Sequence, residues 1–363
     1  MGEYMAVNNR ERRRKAEEET RNRRAQKKRA LARFVCLRSQ RGNTWAIFHV
    51  ICGGRMTGKS YSVAQMICSE KEKRGENVKI YWMRISPTSC KALLARDAEE
   101  LIDPDLQRKY KLHLTTKGNV VYNDGKKFCG VYPLASFGKD KGVAHFDKDF
   151  KGKYILILDE FQLEIGEKRT SFDILYNFIG MCENFCRTRK HGVEVWLLGN
   201  TLEEASTILK AFNFLPEKFG RFYLRSKRCV IDNLEPTEEY LADRKGSIAD
   251  ILGGGEMSNY TNELTKDRQL LFKGRTVKPT GIVKFSTSKQ DWYTLWDGAV
   301  LKRYKNESLP KESDFCMRPY IDTYYSLERR QAIIDLYDAR ALKFDSLITQ
   351  AYFTDALKMV RTR

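Results

Sequence analysis

The stretch that decides the fold is "GGRMTGKS", residues 53–60. It fits the pattern G-x-x-x-x-G-K-S, and its flanks are the ones this pattern requires. Residues 45–54, "WAIFHVICGG", are typical of a buried strand, and residues 59–74, "KSYSVAQMICSEKEKR", of an amphipathic helix. A glycine-rich turn in this position points backbone N–H groups at an anion and adds the positive end of the helix dipole. The stretch therefore predicts a phosphate-binding loop; the alternative is a glycine-rich turn with an incidental lysine.

Two side chains of this loop have distinct predicted roles with ATP and Mg²⁺. Lys59 would bridge the β- and γ-phosphates, and the Ser60 hydroxyl would be a ligand of Mg²⁺. The other cofactor-binding candidates are Gly53, Gly54, Arg55, Met56, Thr57 and Gly58.

A pair of carboxylates follows a second buried strand, "YILILDE" (154–160). Ligands of open α/β sheets bind at the carboxyl ends of the strands, where Asp159 would complete the Mg²⁺ shell. Glu160 would accept a proton from an attacking water, which favours an NTPase with its own catalytic base over a kinase or a switch protein. The alternative is an acidic strand end that faces solvent.

A third strand ends in "WLLGNT" (196–201), where Asn200 could contact the γ-phosphate or the attacking water. A strand-ending Asn also commonly caps the helix that follows it. Both interpretations remain open at this point.

Two arginines, Arg187 and Arg189, end the helix that precedes this strand. Cations are favourable at any helix C-terminus. The other interpretation is an arginine finger that is supplied to the active site of a neighbouring subunit, as a closed ring would allow.

The alternation of strands and helices predicts an α/β fold, with a parallel sheet flanked by helices and a β-hairpin insertion over 111–134. We expect a basic arm over 1–45, an ATPase domain over 46–225, a linker over 226–250, a small β-rich domain over 251–305 and a helical tail over 306–363. The small domain is predicted from three strand candidates, "QLLFKGRTV", "GIVKFSTS" and "WYTLWDGAVLKRY".

The charge of the chain points to a polyanionic partner. The net charge is +19 over 363 residues, and residues 1–45 hold fourteen Lys or Arg against five Glu. Such an arm either binds nucleic acid through counterion release or is simply solvated. The polar, basic N-terminus and the lack of a long apolar run predict neither a secretory signal nor a membrane span. Nine cysteines without metal-ligand spacing predict reduced core thiols and a cytoplasmic protein.

Together, "GGRMTGKS", "YILILDEF", "NFCRTR", "WLLGNT" and the later "GGGEMSN" resemble the DNA-packaging (encapsidation) ATPases of φ29-like phages, a branch of the terminase large-subunit superfamily. The resemblance covers about residues 46–305. It implies a P-loop ATPase domain of the additional-strand, catalytic-Glu class, followed by a small α+β domain that resembles RNase H nucleases.

The resemblance also implies partners and roles. Members of this family form a homomeric ring, by resemblance a pentamer, on the portal of a procapsid in the host cytoplasm. The ring drives double-stranded DNA inward with ATP, and a scaffold RNA can take part. By position, Asn200 matches the coupling residue and Arg187 the trans-acting arginine, with Arg189 as the second choice.

Two features depart from the pattern or extend it. Asp291 and Asp297 flank a strand without a third carboxylate, so we expect a nuclease-like domain that does not cut DNA. Lys91, Lys139 and Lys141 are candidate DNA contacts in the channel of the ring, since a motor must grip phosphates rather than bases; each could equally be a solvated lysine.

Other functions fit some of these observations. The chain could be a helicase-like or nucleic-acid-stimulated ATPase that is not tied to a capsid, or a nuclease-competent terminase large subunit. It could also be a nucleotide-gated assembly protein with little hydrolysis, which the presence of Glu160 disfavours.

Overall fold

The computed structural model describes residues 41–54, 57–138, 147, 149–161, 173–187, 189–199, 207–248, 251, 268–284, 292–303, 315–316 and 327–361. In the described part, no helix is both long and apolar enough to cross a membrane.

A nine-stranded sheet forms the larger layer. Its strands are β1 (Phe48–Cys52), β2 (Val78–Arg84), β3 (Leu114–Lys117), β4 (Val120–Asn123), β5 (Lys126–Pro133), β6 (Lys153–Asp159), β7 (Val193–Gly199), β8 (Gly220–Leu224) and β9 (Cys229–Asn233). They lie in the order β3-β4-β5-β2-β6-β7-β1-β9-β8. The run from β5 to β9 is parallel throughout, which confirms the predicted parallel sheet. The antiparallel pairs β3–β4 and β4–β5 form the predicted hairpin insertion.

Helices cover both faces of this sheet because its buried strands carry apolar side chains on both sides. The helices are α1 (Lys59–Arg74), α2 (Pro87–Ala98), α3 (Pro104–Tyr110), α4 (Ile174–Cys186), α5 (Thr207–Phe212) and α6 (Glu238–Arg244). Ile155 and Ile157 of β6 belong to the core beneath α1, α2 and α3. The alternate residues Leu156 and Leu158 belong to the core beneath α4 and α5. This alternation with a period of two follows from the strand pleat.

Seven cysteines of the described part are free, and six of them are buried. Burial raises the pKa of the Cys52 thiol to about 12, and it does the same for Cys186. Both thiols are therefore protonated at neutral pH and unreactive, as predicted for core cysteines.

The predicted linker over 226–250 differs from the structure. Residues 229–233 form β9, which pairs with β1 on one side and β8 on the other. The run "CVIDN" is fully buried, but it is only five residues long and follows a basic turn, which masks its strand character in the sequence. The first sheet therefore extends past residue 225.

A second, five-stranded sheet lies further along the chain. Its strands are β10 (Pro279–Lys284), β11 (Trp292–Trp296), β12 (Val300–Arg303), β13 (Phe315–Cys316) and β14 (Lys343–Phe344), in the order β13-β10-β11-β12-β14. The predicted strand "QLLFKGRTV" is wrong, because Leu271 makes only an isolated bridge to Phe344. The sequence pattern there is apolar for three residues only, too few for a paired strand.

The predicted helical tail is part of this second unit. It contains the helices α7 (Leu327–Asp338) and α8 (Leu347–Arg361), and β14 lies between them. Ile333 of α7 and Phe353 of α8 pack in one core with Val283 and Leu301 of the sheet. The tail thus covers the sheet rather than extending from it.

Substitution Phe353→Ala tests this assignment. Phe353 is fully buried, so we expect the second unit to lose about 3–5 kcal/mol of unfolding free energy. The exposed Lys358 of the same helix provides a control, since Lys358→Ala should change it by less than about 0.5 kcal/mol. Urea unfolding measures both. Equal effects of the two substitutions would show that α8 is not part of the core.

Candidate nucleotide-binding site

The glycine loop, which we define as residues 53–58, connects β1 to α1. The Gly53 N–H donates to the Gly199 carbonyl at 3.2 Å, which holds the loop against the end of β7. Gly58 caps α1 with φ 79°, a left-handed conformation that favours glycine. A Cβ at Gly53 would lie 3.0 Å from the Leu234 side chain, which would have to move to make room for it. Arg55 and Met56 lie outside the described residues.

Lys59 extends back into this loop. Its ammonium donates to the carbonyls of Gly53 and Gly54, each at 2.8 Å, and lies 3.4 Å from the Thr57 hydroxyl. The Thr57 hydroxyl in turn donates to the Gly54 carbonyl. A buried cation is thus held at the N-terminus of α1, where both the helix dipole and the ammonium favour an anion.

Ser60 and Asp159 meet at the carboxyl end of the sheet, although 99 positions separate them in the chain. The Ser60 Oγ donates to the Asp159 Oδ1 at 3.1 Å, and Asp159 is 2% exposed. Two adjacent ligands of an octahedral Mg²⁺ with bonds of 2.0–2.1 Å lie about 3 Å apart. A hydroxyl and a carboxylate oxygen at this spacing therefore fit Mg²⁺ without rearrangement.

Glu160 follows β6 in a left-handed backbone conformation, with φ 56°. This conformation is uncommon for a residue with a Cβ and clusters at functional sites. The side chain of Glu160 is 47% exposed, whereas that of Asp159 is 3% exposed. The two neighbouring carboxylates thus have different environments: Asp159 is buried between two hydrogen-bond donors, and Glu160 can reach water.

Arg84, which sequence analysis missed, binds both carboxylates. Its Nη2 donates to the Asp159 Oδ2 at 3.0 Å, and its Nη1 lies 3.2 Å from the Glu160 Oε2. Arg84 ends β2, the strand that pairs with β6. The only signal in the sequence is a charged residue that ends the buried strand "VKIYWMR". The arginine fixes the separation of the two acids and neutralises part of their charge.

The end of β9 also reaches the glycine loop, which was not predicted. The Leu234 N–H donates to the Cys52 carbonyl at 2.8 Å, and its side chain contacts Gly53 as described above. One residue before the strand ends, the buried Asp232 forms a two-point pair with Arg221 of β8 at 2.6 and 2.7 Å. This pair joins β8 and β9 beneath the loop.

The two candidate arginines have different surroundings. Arg189 donates to the carbonyls of Gly152 and Phe150, and its guanidinium lies 4.9 Å from the ring centre of Tyr154. These contacts within its own chain give Arg189 a structural role. Arg187 is exposed at the end of α4, with φ 43°. It precedes β7, whose seven residues span about 20 Å, so it lies at the opposite edge of the sheet from the glycine loop.

The remaining predicted residues do not come together in the described structure. Lys91 is exposed on α2. Asn200, Lys139 and Lys141 lie outside the described residues, as does Asp291. The carboxylate of Asp297 accepts bonds from the backbone N–H groups of residues 277 and 278, a structural role in a turn. Among the described residues, no group of three or more His, Cys, Asp or Glu could hold a metal ion.

No family model and no curated protein matches the chain. Two solved structures resemble it over most of its length. The Phi-28 gp11 DNA packaging motor is 16% identical with a TM-score of 0.57, and the match covers 86% of this chain and 95% of that chain. The bacteriophage Phi-29 viral genome packaging motor assembly is 17% identical with a TM-score of 0.58, over 87% and 95%. The chain therefore has the fold of these packaging motors.

Substitution Arg84→Gln tests the contact between the arginine and the two acids. It leaves the buried Asp159 carboxylate without its cation, so we expect a loss of about 3 kcal/mol in unfolding free energy. Urea unfolding measures this loss, and EDTA is added so that no divalent metal ion replaces the missing cation. Adding Asp159→Asn should restore most of this loss, because the uncompensated charge is removed. The exposed Arg96, which pairs with Glu100, is the control: Arg96→Gln should cost less than about 1 kcal/mol. Equal stability of the single and double variants would contradict the pairing.

Proposed function

We propose that this chain is a subunit of an ATP-driven motor that moves double-stranded DNA into a procapsid, as a member of the φ29-like packaging ATPases. The observation that carries the proposal is the 3.1 Å hydrogen bond between Ser60 and Asp159, beside the buried ammonium of Lys59. The spacing of these two oxygens suits two ligands of Mg²⁺, and their position near the N-terminus of a helix supports a P-loop ATPase. The fold shared with the Phi-28 and Phi-29 packaging motors supports the choice of this family.

In this proposal each side chain has one task. Backbone N–H groups of the glycine loop bind the phosphates, and Lys59 exchanges the loop carbonyls for β- and γ-phosphate oxygens. Ser60 and Asp159 would hold Mg²⁺, which supplies charge neutralisation when it is bound with ATP. Glu160 takes the proton of the attacking water at its exposed carboxylate. Arg84 is a positioning residue that holds this carboxylate beside Asp159.

The wider assembly follows from the family. The subunits would form a ring, a pentamer by resemblance, on the portal of the procapsid, and a scaffold RNA can be a further partner. Asn200 would sense the γ-phosphate, and Lys91, Lys139 and Lys141 would line the DNA channel. The second sheet would be an RNase H-like domain without nuclease activity, which the structural role of Asp297 supports.

The test is the rate of ATP hydrolysis with double-stranded DNA and purified empty procapsids. We expect a high rate only when both are present, and Glu160→Gln should lower it about 10²–10⁴-fold while ATP stays bound, since the variant loses its base. Glu76→Gln, which removes an exposed carboxylate next to α1, should leave the rate unchanged. Stimulation by DNA alone would instead favour an ATPase that is not tied to a capsid.

Arg187 is the proposed trans-acting arginine, because it is exposed and lies about 20 Å from its own glycine loop. Rings of Arg187→Ala or of Lys59→Ala subunits alone should be inactive. Mixing the two variants equally should restore activity, since about a quarter of the junctions then pair an intact pocket with an intact arginine. The rate of ATP hydrolysis in the assembled ring measures this. An active ring of Arg187→Ala subunits would refute the role.

A further inference from the structure

The edge of the first sheet at which the parallel strands begin carries a cluster of cations. Arg228 lies at the centre of this cluster. The carbonyl of Arg228 accepts hydrogen bonds from the N–H groups of Ile47 and Phe48 at 2.8 and 3.0 Å. Its side chain donates to the carbonyls of Trp45 and Lys190 at 3.2 and 3.1 Å. The segments before β1, β7 and β9 are therefore joined at one place. We define the amino-edge patch as Trp45, Lys190, Tyr223, Arg225, Lys227 and Arg228.

An arginine stacked on a tryptophan is the centre of this patch. The Arg225 guanidinium lies 4.1 Å from the centre of the Trp45 ring. Tyr223, which is 51% exposed, lies 6.4 Å from the same ring. Stacking restrains the guanidinium plane at little cost in side-chain entropy and leaves its N–H groups for an acceptor. A planar fork of this kind matches the oxygens of a phosphate.

The segments that form the patch are rich in cations. Residues 41–48, 187–193 and 218–229 contain nine Lys or Arg and no Asp or Glu. Internal partners hold four of the nine: Arg41 pairs with Glu70, Arg221 with Asp232, and both Arg189 and Arg228 with backbone carbonyls. Arg225, Lys227 and Lys190 are exposed, and no carboxylate of the described residues forms a salt bridge with them. Uncompensated surface cations attract a polyanion.

The chain that precedes the patch has the same charge character. Residues 1–40 contain thirteen Lys or Arg and five Glu, and they join the body at Arg41, four positions before Trp45. Two basic features of the protein are thus continuous with one another. β1 separates the patch from the glycine loop by about 16 Å, so a partner bound here does not occupy the nucleotide site of the same subunit.

We propose that the amino-edge patch binds the phosphate backbone of a nucleic acid. Arg225, oriented by Trp45, makes a two-point contact with one phosphate, and Lys227 binds a neighbouring phosphate as a point charge. A contact with phosphate oxygens carries no sequence information, so we expect binding that does not depend on base sequence. The proposal does not depend on ATP hydrolysis, so it stands or falls separately from the proposed motor function.

The test is a salt titration with the full chain. Binding of a fluorescent 20-bp duplex DNA, and of a duplex RNA of the same sequence, is followed by anisotropy from 50 to 200 mM NaCl. Each phosphate contact adds about 0.9 to the slope of log K against log salt. Arg225→Gln combined with Lys227→Gln should therefore lower the slope by about 2. Trp45→Leu should lower it by about 1, because Arg225 loses its platform. If the substitutions lower the salt slope for only one of the two duplexes, that duplex is the type of nucleic acid that the patch binds.

The controls separate a specific patch from the general charge of the protein. Lys117→Gln combined with Lys126→Gln removes two exposed cations at the far end of the same sheet and should leave the slope unchanged. ATP hydrolysis without nucleic acid should be the same in all variants. An unchanged slope in the Arg225 and Lys227 variant would overturn the proposal. So would an equal loss in the control variant, or equally tight binding of poly-glutamate, which would indicate an acidic protein partner.

Discussion

The parallel pairing of β6, β7, β1 and β9 is the constraint on which the rest of the site depends. Parallel strands bring their carboxyl ends to one edge, so residues far apart in the chain become neighbours without a cofactor or a disulfide. The Ser60–Asp159 hydrogen bond is the direct result, and it spans 99 positions. The helix that starts at Lys59 then points its N-terminus at the same place. The sheet brings these residues to one edge, where the proposed chemistry depends on five side chains: Lys59, Ser60, Arg84, Asp159 and Glu160.

Much of this arrangement could be predicted from the sequence, because its main parts correspond to strong local sequence patterns. The glycine loop lies between an apolar run and a helical pattern, and the two acids follow an unbroken run of apolar residues. What could not be predicted depends on which strands are neighbours. Arg84 binds both acids only because β2 pairs with β6, and chain order does not reveal that pairing. β9 was missed for another reason: five buried residues between polar segments give too short a pattern to detect.

The charged side chains at the two edges of the first sheet differ in burial and in pairing. At the carboxyl edge, each described carboxylate of the site has a partner, and the cations Lys59 and Arg84 are partly or fully buried. At the amino edge, Arg225, Lys227 and Lys190 are exposed, and no described carboxylate forms a salt bridge with them. Buried, paired charges fix geometry, whereas exposed, unpaired charges attract long-range partners and respond to salt. One layer of β-structure thus keeps a chemical site apart from a cationic surface.

Leu234 joins the glycine loop to the rest of the molecule in a way that has mechanical consequences. Its amide is bonded to the last residue of β1, its side chain rests on Gly53, and α6 begins only four residues later. The polypeptide that connects the first sheet to the second therefore begins at a residue that contacts the glycine loop. A displacement of the loop would therefore be transmitted through Leu234 to the segment that begins α6.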